Sequence, residues 1–119
     1  EPLMPSPLAA ILIGAVGGII VVYGTKFLLA MKIDDVVGAI PAHLFAGIWG
    51  TLAVPITNSG ASFGTQLLGV VSINAFVFIV SFIVWFLMKS TFGIRLSKEG
   101  ETKGTDVTET GVIAYAIRD

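Results

Sequence analysis

The chain has 119 residues, 55% of them hydrophobic and 13% charged, with a net charge of −1 and no cysteine. A soluble domain carries about 25% charged residues; here no Asp, Glu, Lys or Arg falls between Val36 and Met88, where His43 is the only ionisable side chain. A soluble protein of this size has too much surface to leave half its length uncharged, so lipid is the solvent for that stretch; the absent cysteines exclude disulfides, a thiol nucleophile and a zinc–thiolate site, and the near-neutral charge does not point to nucleic acid.

Residues 1–6 read as a short extracytoplasmic loop carrying Pro2 and Pro5. The start at Glu1 rather than methionine fits a fragment or a processed product, and no basic region of a secretory leader precedes the first apolar segment. Pro7 suits the first position of a helix, where its missing N–H would be unsatisfied anyway. The first predicted membrane helix covers 7–31, about 37 Å of helix against a hydrocarbon core of about 30 Å. Lys26 lies near its end and can snorkel to the headgroups.

Lys32-Ile33-Asp34-Asp35 is a polar break. Asp34 and Asp35 precede the second predicted membrane helix, 36–54, and read first as helix caps, with an ion-entry role as the alternative. Pro41 inside this segment predicts a kink or a late helix start. Residues 55–65 read as an uncharged extracytoplasmic loop with an Asn58-Ser59-Gly60 turn. The third predicted helix, 66–88, is bulky nearly all round in its second half, which suits lipid contact. Residues 89–119 form a polar, cytoplasmic C-terminal tail.

The basic residues set the orientation. Lys26 and Lys32 flank the first connection, and Lys89, Arg95, Lys98, Lys103 and Arg118 lie in the tail. The first connection and the tail are therefore expected in the cytoplasm, with the N-terminus outside, in a multi-pass protein of the cell membrane. The fold class expected is an all-α membrane protein.

Lipid gives no hydrophobic drive for helices to associate, so close backbone approach matters. Ala10, Gly14 and Gly18 form a small-residue stripe on the first helix. On the second, Ala42, Ala46 and Gly50 form another, beside Ala39, His43 and Gly47. These faces are expected to pack on helices that are not among these three. The third helix has no such stripe and is expected at the periphery.

His43 sits about eight residues, or roughly 12 Å, into its helix. An ionisable side chain at that depth is a functional candidate. A neutral imidazole offers one donor and one acceptor nitrogen and can pass a proton or hold a small polar solute. The alternative is a structural histidine bonded to a neighbouring carbonyl or hydroxyl. Trp49 reads as packing. Asn74, Ser72 and Ser81 read as bonding either across helices or to their own backbone. No nucleotide-binding glycine loop, metal cluster or nucleophile triad is present, so neither an enzyme nor a cofactor is expected.

The segment Lys32-Ile33-Asp34-Asp35-Val36-Val37-Gly38-Ala39, followed by Ala42-His43 and by Ala46-Gly47-Ile48-Trp49-Gly50-Thr51-Leu52-Ala53-Val54, closely resembles the tenth-helix region of Amt ammonium transporters. Phe63-Gly64-Thr65-Gln66-Leu67-Leu68-Gly69 is similar to the loop and helix start that follow. Gly93-Ile94-Arg95, Gly104, Asp106, Glu109, Gly111, Ala114 and Tyr115 match the family's tail. The resemblance implies the last three helices of an eleven-helix fold, a homotrimer with one pore per subunit, and ammonium or ammonia as the cargo. It places His43 as one of two pore histidines, the other lying in the family's fifth helix. It makes Gly93, Arg95, Gly104, Asp106, Glu109, Gly111 and Tyr115 part of a regulatory or subunit-contact surface where a PII-type signalling protein docks. A non-transporting sensor or accessory module derived from the same fold is the alternative.

Overall fold

Helix formation dominates, because in lipid every backbone N–H and C=O must find a partner within the chain. The structure is a computed structural model that describes residues 5–113. Three of its helical stretches are long and apolar enough to cross a membrane: Pro7–Ala30, Ile40–Thr57 and Phe63–Thr91, with mean hydropathies of 2.2, 1.3 and 2.6. No strand occurs among the described residues.

Helix α1 runs Pro7–Ala30, with Pro7 in the first turn and the Ser6 hydroxyl accepting from Ala9 N. Its C-terminus closes in a Schellman motif: Ile33 N donates to Leu28 O and Lys32 N to Leu29 O, both at 3.0 Å. Lys32 takes the left-handed position that such a cap requires, at φ +58°. The polar break expected at Lys32–Asp35 is therefore built on a lysine where a glycine is usual.

The second span begins at Ile40, later than the expected 36, and runs on to Thr57, past the expected 54. Its first turn is π-helical, Ile40–Phe45, and continues directly into α2, Ala46–Thr57. The late start has a local cause. Gly38 sits at φ +68°, which breaks any helix entering from Val36. The Asp35 carboxylate then accepts from Ala39 N at 2.9 Å and from Ile40 N at 2.8 Å. Pro41 has no N–H to place, and Ala42 N bonds to Gly38 O at 3.1 Å. Those four positions account for the donors that a helix start leaves orphaned. At the far end Pro55 lies within α2, and Asn58 N still closes onto Val54 O at 3.0 Å. The expected loop of 55–65 thus shortens to residues 58–62, ahead of α3, Phe63–Thr91.

The chain divides into two units within α3, after Phe76. In the first, α1 packs on the π-helical turn and on α2. The contact face of the second span is Pro41, Phe45, Trp49 and Ala53, a stripe at spacing four. Pro41 is fully buried and Ala53 is 1% exposed. It meets Ile13, Gly17, Gly24 and Leu28 of α1. Gly24 allows the closest approach: a Cβ there would lie 2.7 Å from Phe45 Cδ2 and 3.0 Å from Pro41 Cβ. The small-residue stripes lie elsewhere. Gly14, Gly18, Gly47 and Gly50 have no neighbour within 4 Å of a would-be Cβ, so this chain leaves those faces open.

The second unit holds the rest of α3 and the tail. No residue of α3 is buried, and Phe78, Phe82 and Phe86 stack at successive turns with ring centroids 6.4 and 6.3 Å apart. Gly93, at φ +73°, ends the helix. The tail then folds as helix α4, Lys98–Lys103, and a π-helical turn, Asp106–Thr110.

Candidate functional site

His43 lies in the π-helical turn, and its side chain lines an open cleft of about 290 Å³ in the first unit. One wall comes from the second span, with Gly47 and Thr51 one and two turns beyond His43. The other comes from the first half of α3, with Gln66 and Asn74. The lining is mostly apolar, with the polar side chains of His43, Thr51, Gln66 and Asn74 spaced along it. His43 is exposed, and its imidazole makes no hydrogen bond among the described residues. The structural alternative, an imidazole held by a neighbouring carbonyl or hydroxyl, finds no such bond here. Thr51 and Asn74 bond to their own helices instead, Thr51 Oγ1 to Gly47 O at 2.9 Å and Asn74 Nδ2 to Val70 O at 2.7 Å. Gln66 was not singled out by the sequence; a glutamine in the first turn of an apolar helix was the available signal.

Asp34 and Asp35 separate. Only the Asp35 carboxylate caps the second span, through its two backbone bonds. Trp49 does more than pack: its indole Nε1 donates to Ile13 O of α1 at 3.0 Å. That bond joins two membrane helices, with Gly17 leaving room for the ring, since a Cβ there would lie 3.8 Å from Trp49 Cδ1.

In the tail, the three motif glycines share a physical role. Gly93, Gly104 and Gly111 have φ of +73°, +103° and +69°, and each ends a helical segment. These conformations are costly for any residue with a Cβ. Ser97 caps α4 by accepting from Gly100 N at 3.1 Å. Thr108 folds back over α4, its hydroxyl donating to Gly100 O at 3.1 Å. Arg95 reaches the Glu101 carboxylate with both Nε and Nη2. That hydrogen bonding, followed by the charge itself, holds the Glu101 carboxyl below the ordinary carboxylate range and raises Arg95. Asp106 and Glu109 lie on the π-helical turn that follows. Tyr115, with Ala114, lies outside the described residues.

The profile of the Ammonium Transporter Family matches residues 3–115. The chain is 33% identical to Ammonium transporter Amt2 of Archaeoglobus fulgidus, over 92% of this chain and 28% of that protein. It is 36% identical to Ammonium transporter Amt1 of Haloferax mediterranei, over 88% of this chain and 21% of that protein. It is 32% identical to Ammonium transporter Amt1 of Archaeoglobus fulgidus, over 89% and 30% respectively. The chain thus spans between a fifth and a third of the length of these curated relatives. A profile match over residues 3–115, on a polypeptide with three helices long and apolar enough to cross a membrane, makes this chain a member of the ammonium transporter family.

Proposed function

We propose that this chain forms the C-terminal part of an ammonium transport path, with His43 as a pore group and the tail as a regulatory surface. The observation that carries this is the placement of His43. It lies in the first turn of the second span rather than eight residues in, and opens onto a mostly apolar cleft beside Gly47 and opposite Gln66 and Asn74, with no side-chain hydrogen bond among the described residues. A polar side chain left so in lipid is costly. The cost is recovered if a second polar group, or the cargo itself, meets the imidazole.

The physics favours a neutral relay. An ammonium ion taken into an apolar passage faces a large desolvation penalty, whereas ammonia does not. A neutral imidazole accepts at one nitrogen and donates from the other, so it can guide ammonia or hand on its proton. The partner histidine that the family resemblance implies lies on a helix outside these residues. The distribution of Lys and Arg supports a cytoplasmic tail in the cell membrane. The open glycine faces at Gly14, Gly18, Gly47 and Gly50 fit packing against the remaining helices, in the homotrimer that the resemblance implies. The capped, folded tail offers a defined surface for a PII-type partner.

The test is a chimera in which residues 3–115 replace the matching segment of the Archaeoglobus fulgidus Amt2 relative. Expressed in a host lacking ammonium transport, it should restore methylammonium uptake. His43→Ala should then lower uptake about a hundred-fold at equal membrane abundance. Undiminished uptake in that variant refutes the pore assignment.

A further inference from the structure

We propose that Trp49 is a positioning residue for His43: its indole N–H, bonded to Ile13 O on α1, fixes the rotation of the second span that aims the imidazole into the cleft. This rests on the pore reading of His43 and extends it to a residue that touches neither cleft nor cargo.

The argument is angular. Each residue advances a helix by about 100°. The stripe Pro41–Phe45–Trp49–Ala53 faces α1, and the stripe His43–Gly47–Thr51 faces the cleft. The two are offset by two residues, about 200° in the α-helical part and somewhat less in the π-helical turn, so they lie on opposite sides of one helix. Whatever fixes the first stripe fixes the second. Most of the α1 contact is apolar and non-directional: Pro41 and Phe45 against Gly24, and Ala53 buried. Close packing of this kind holds the two helices together, but it is less directional than a hydrogen bond, and lipid adds no hydrophobic drive to it. The Trp49 Nε1 to Ile13 O bond, at 3.0 Å, is the hydrogen bond between the two helices among the described residues. It is directional, and rotating the helix breaks it, leaving an indole N–H in a medium that offers no replacement.

Its place along the helix suits the task. Proline and the π-helical turn loosen the ladder around His43. Asp35 anchors that turn on one side, and Trp49 lies six residues past His43, in regular α-helix on the other. Gly17 keeps the ring seated: its would-be Cβ, 3.8 Å from Trp49 Cδ1, leaves space for the ring but none for a larger side chain.

The chimera above tests this. Trp49→Phe keeps an aromatic ring against Gly17 and removes only the donor. The maximal uptake rate should fall about five-fold, the scale of one interhelical hydrogen bond, with KM unchanged because Trp49 touches neither the cleft nor the cargo. Incorporating 5-fluorotryptophan at position 49, which keeps the N–H, should restore the rate. The isosteric benzothienylalanine, which lacks it, should behave like Trp49→Phe. Gly17→Leu should reproduce the loss from the opposite helix. Wild-type uptake in Trp49→Phe, with His43→Ala inactive, overturns this inference and leaves the pore reading intact. A loss that follows membrane abundance, or one that benzothienylalanine rescues as well as 5-fluorotryptophan, overturns it too. Uptake indifferent to His43→Ala removes the pore reading, and with it the role assigned to Trp49.

Discussion

At the scale of single residues, the glycines divide into three kinds that sequence alone does not separate. Gly14, Gly18, Gly47 and Gly50 stand in recognisable small-residue stripes, yet a Cβ at any of them meets nothing in this chain. Gly93, Gly104 and Gly111 are needed for their positive φ. Gly24 belongs to neither group. It lies outside the spacing-four stripe on its helix, and its importance comes from Pro41 and Phe45, which are distant in sequence. Gly24→Ala should therefore cost about 1–3 kcal/mol, the range for overpacking a close contact. The Phe45 ring could swing aside, but the Pro41 Cβ, 3.0 Å from the new methyl group, is fixed by its own ring. Thermal unfolding in detergent measures this; a Gly24→Ala protein that melts with wild type would show that α1 can slide off the turn at no cost. Trp49 gives the same lesson. Its ring was legible as packing, but the acceptor for its N–H is a backbone carbonyl 36 residues earlier, and no local pattern announces such a bond.

At the scale of elements, the sequence was informative about where the first helix starts and less so about where the second span starts and stops. Pro7 with Ser6, and the proline at 41, marked real features of the backbone. The π-helical turn was not legible, because it results from three things acting together: a positive φ at Gly38, two donors taken by Asp35, and Pro41 seated against Gly24. The tail behaves differently, since its small helical unit is held by polar contacts that respond to pH. The Arg95–Glu101 pair holds the Glu101 carboxyl low, chiefly by hydrogen bonding. A group with a lowered folded value stabilises the fold fully above its unfolded value, about pH 4, and loses that contribution as pH falls through the folded value. Amide chemical shifts of Gly100 and Thr108 should thus stay constant from about pH 6 to pH 9 and move together below about pH 4. Both residues are exposed to the consequence because Thr108 bonds to Gly100 O within the same unit. Glu101→Gln should abolish the acid transition; a transition that persists in that variant assigns it to another carboxylate, such as Asp106 or Glu109.

At the scale of the whole molecule, three apolar stretches separated by polar breaks were enough to read the membrane class, since only lipid tolerates such uncharged length. How little these helices bury against one another could not be read. Among the described residues the buried hydrophobic side chains are Leu28 and Ala53, with Pro41 fully enclosed beside them, and all three belong to the contact between α1 and the second span. The cleft beside His43 is open, and among the described residues no second ionisable side chain lines it. A path that strips and returns a proton needs closed walls to exclude water and a second group to share the proton. Neither arises among the described residues. The 119-residue polypeptide, inserted alone into the membrane of a host lacking ammonium transport, should therefore give methylammonium uptake no higher than the empty host, while the chimera that surrounds the same residues with the remaining helices transports. Uptake by the short chain that vanishes on His43→Ala would refute this, because it would mean that copies of these three helices close the pore around their own histidines.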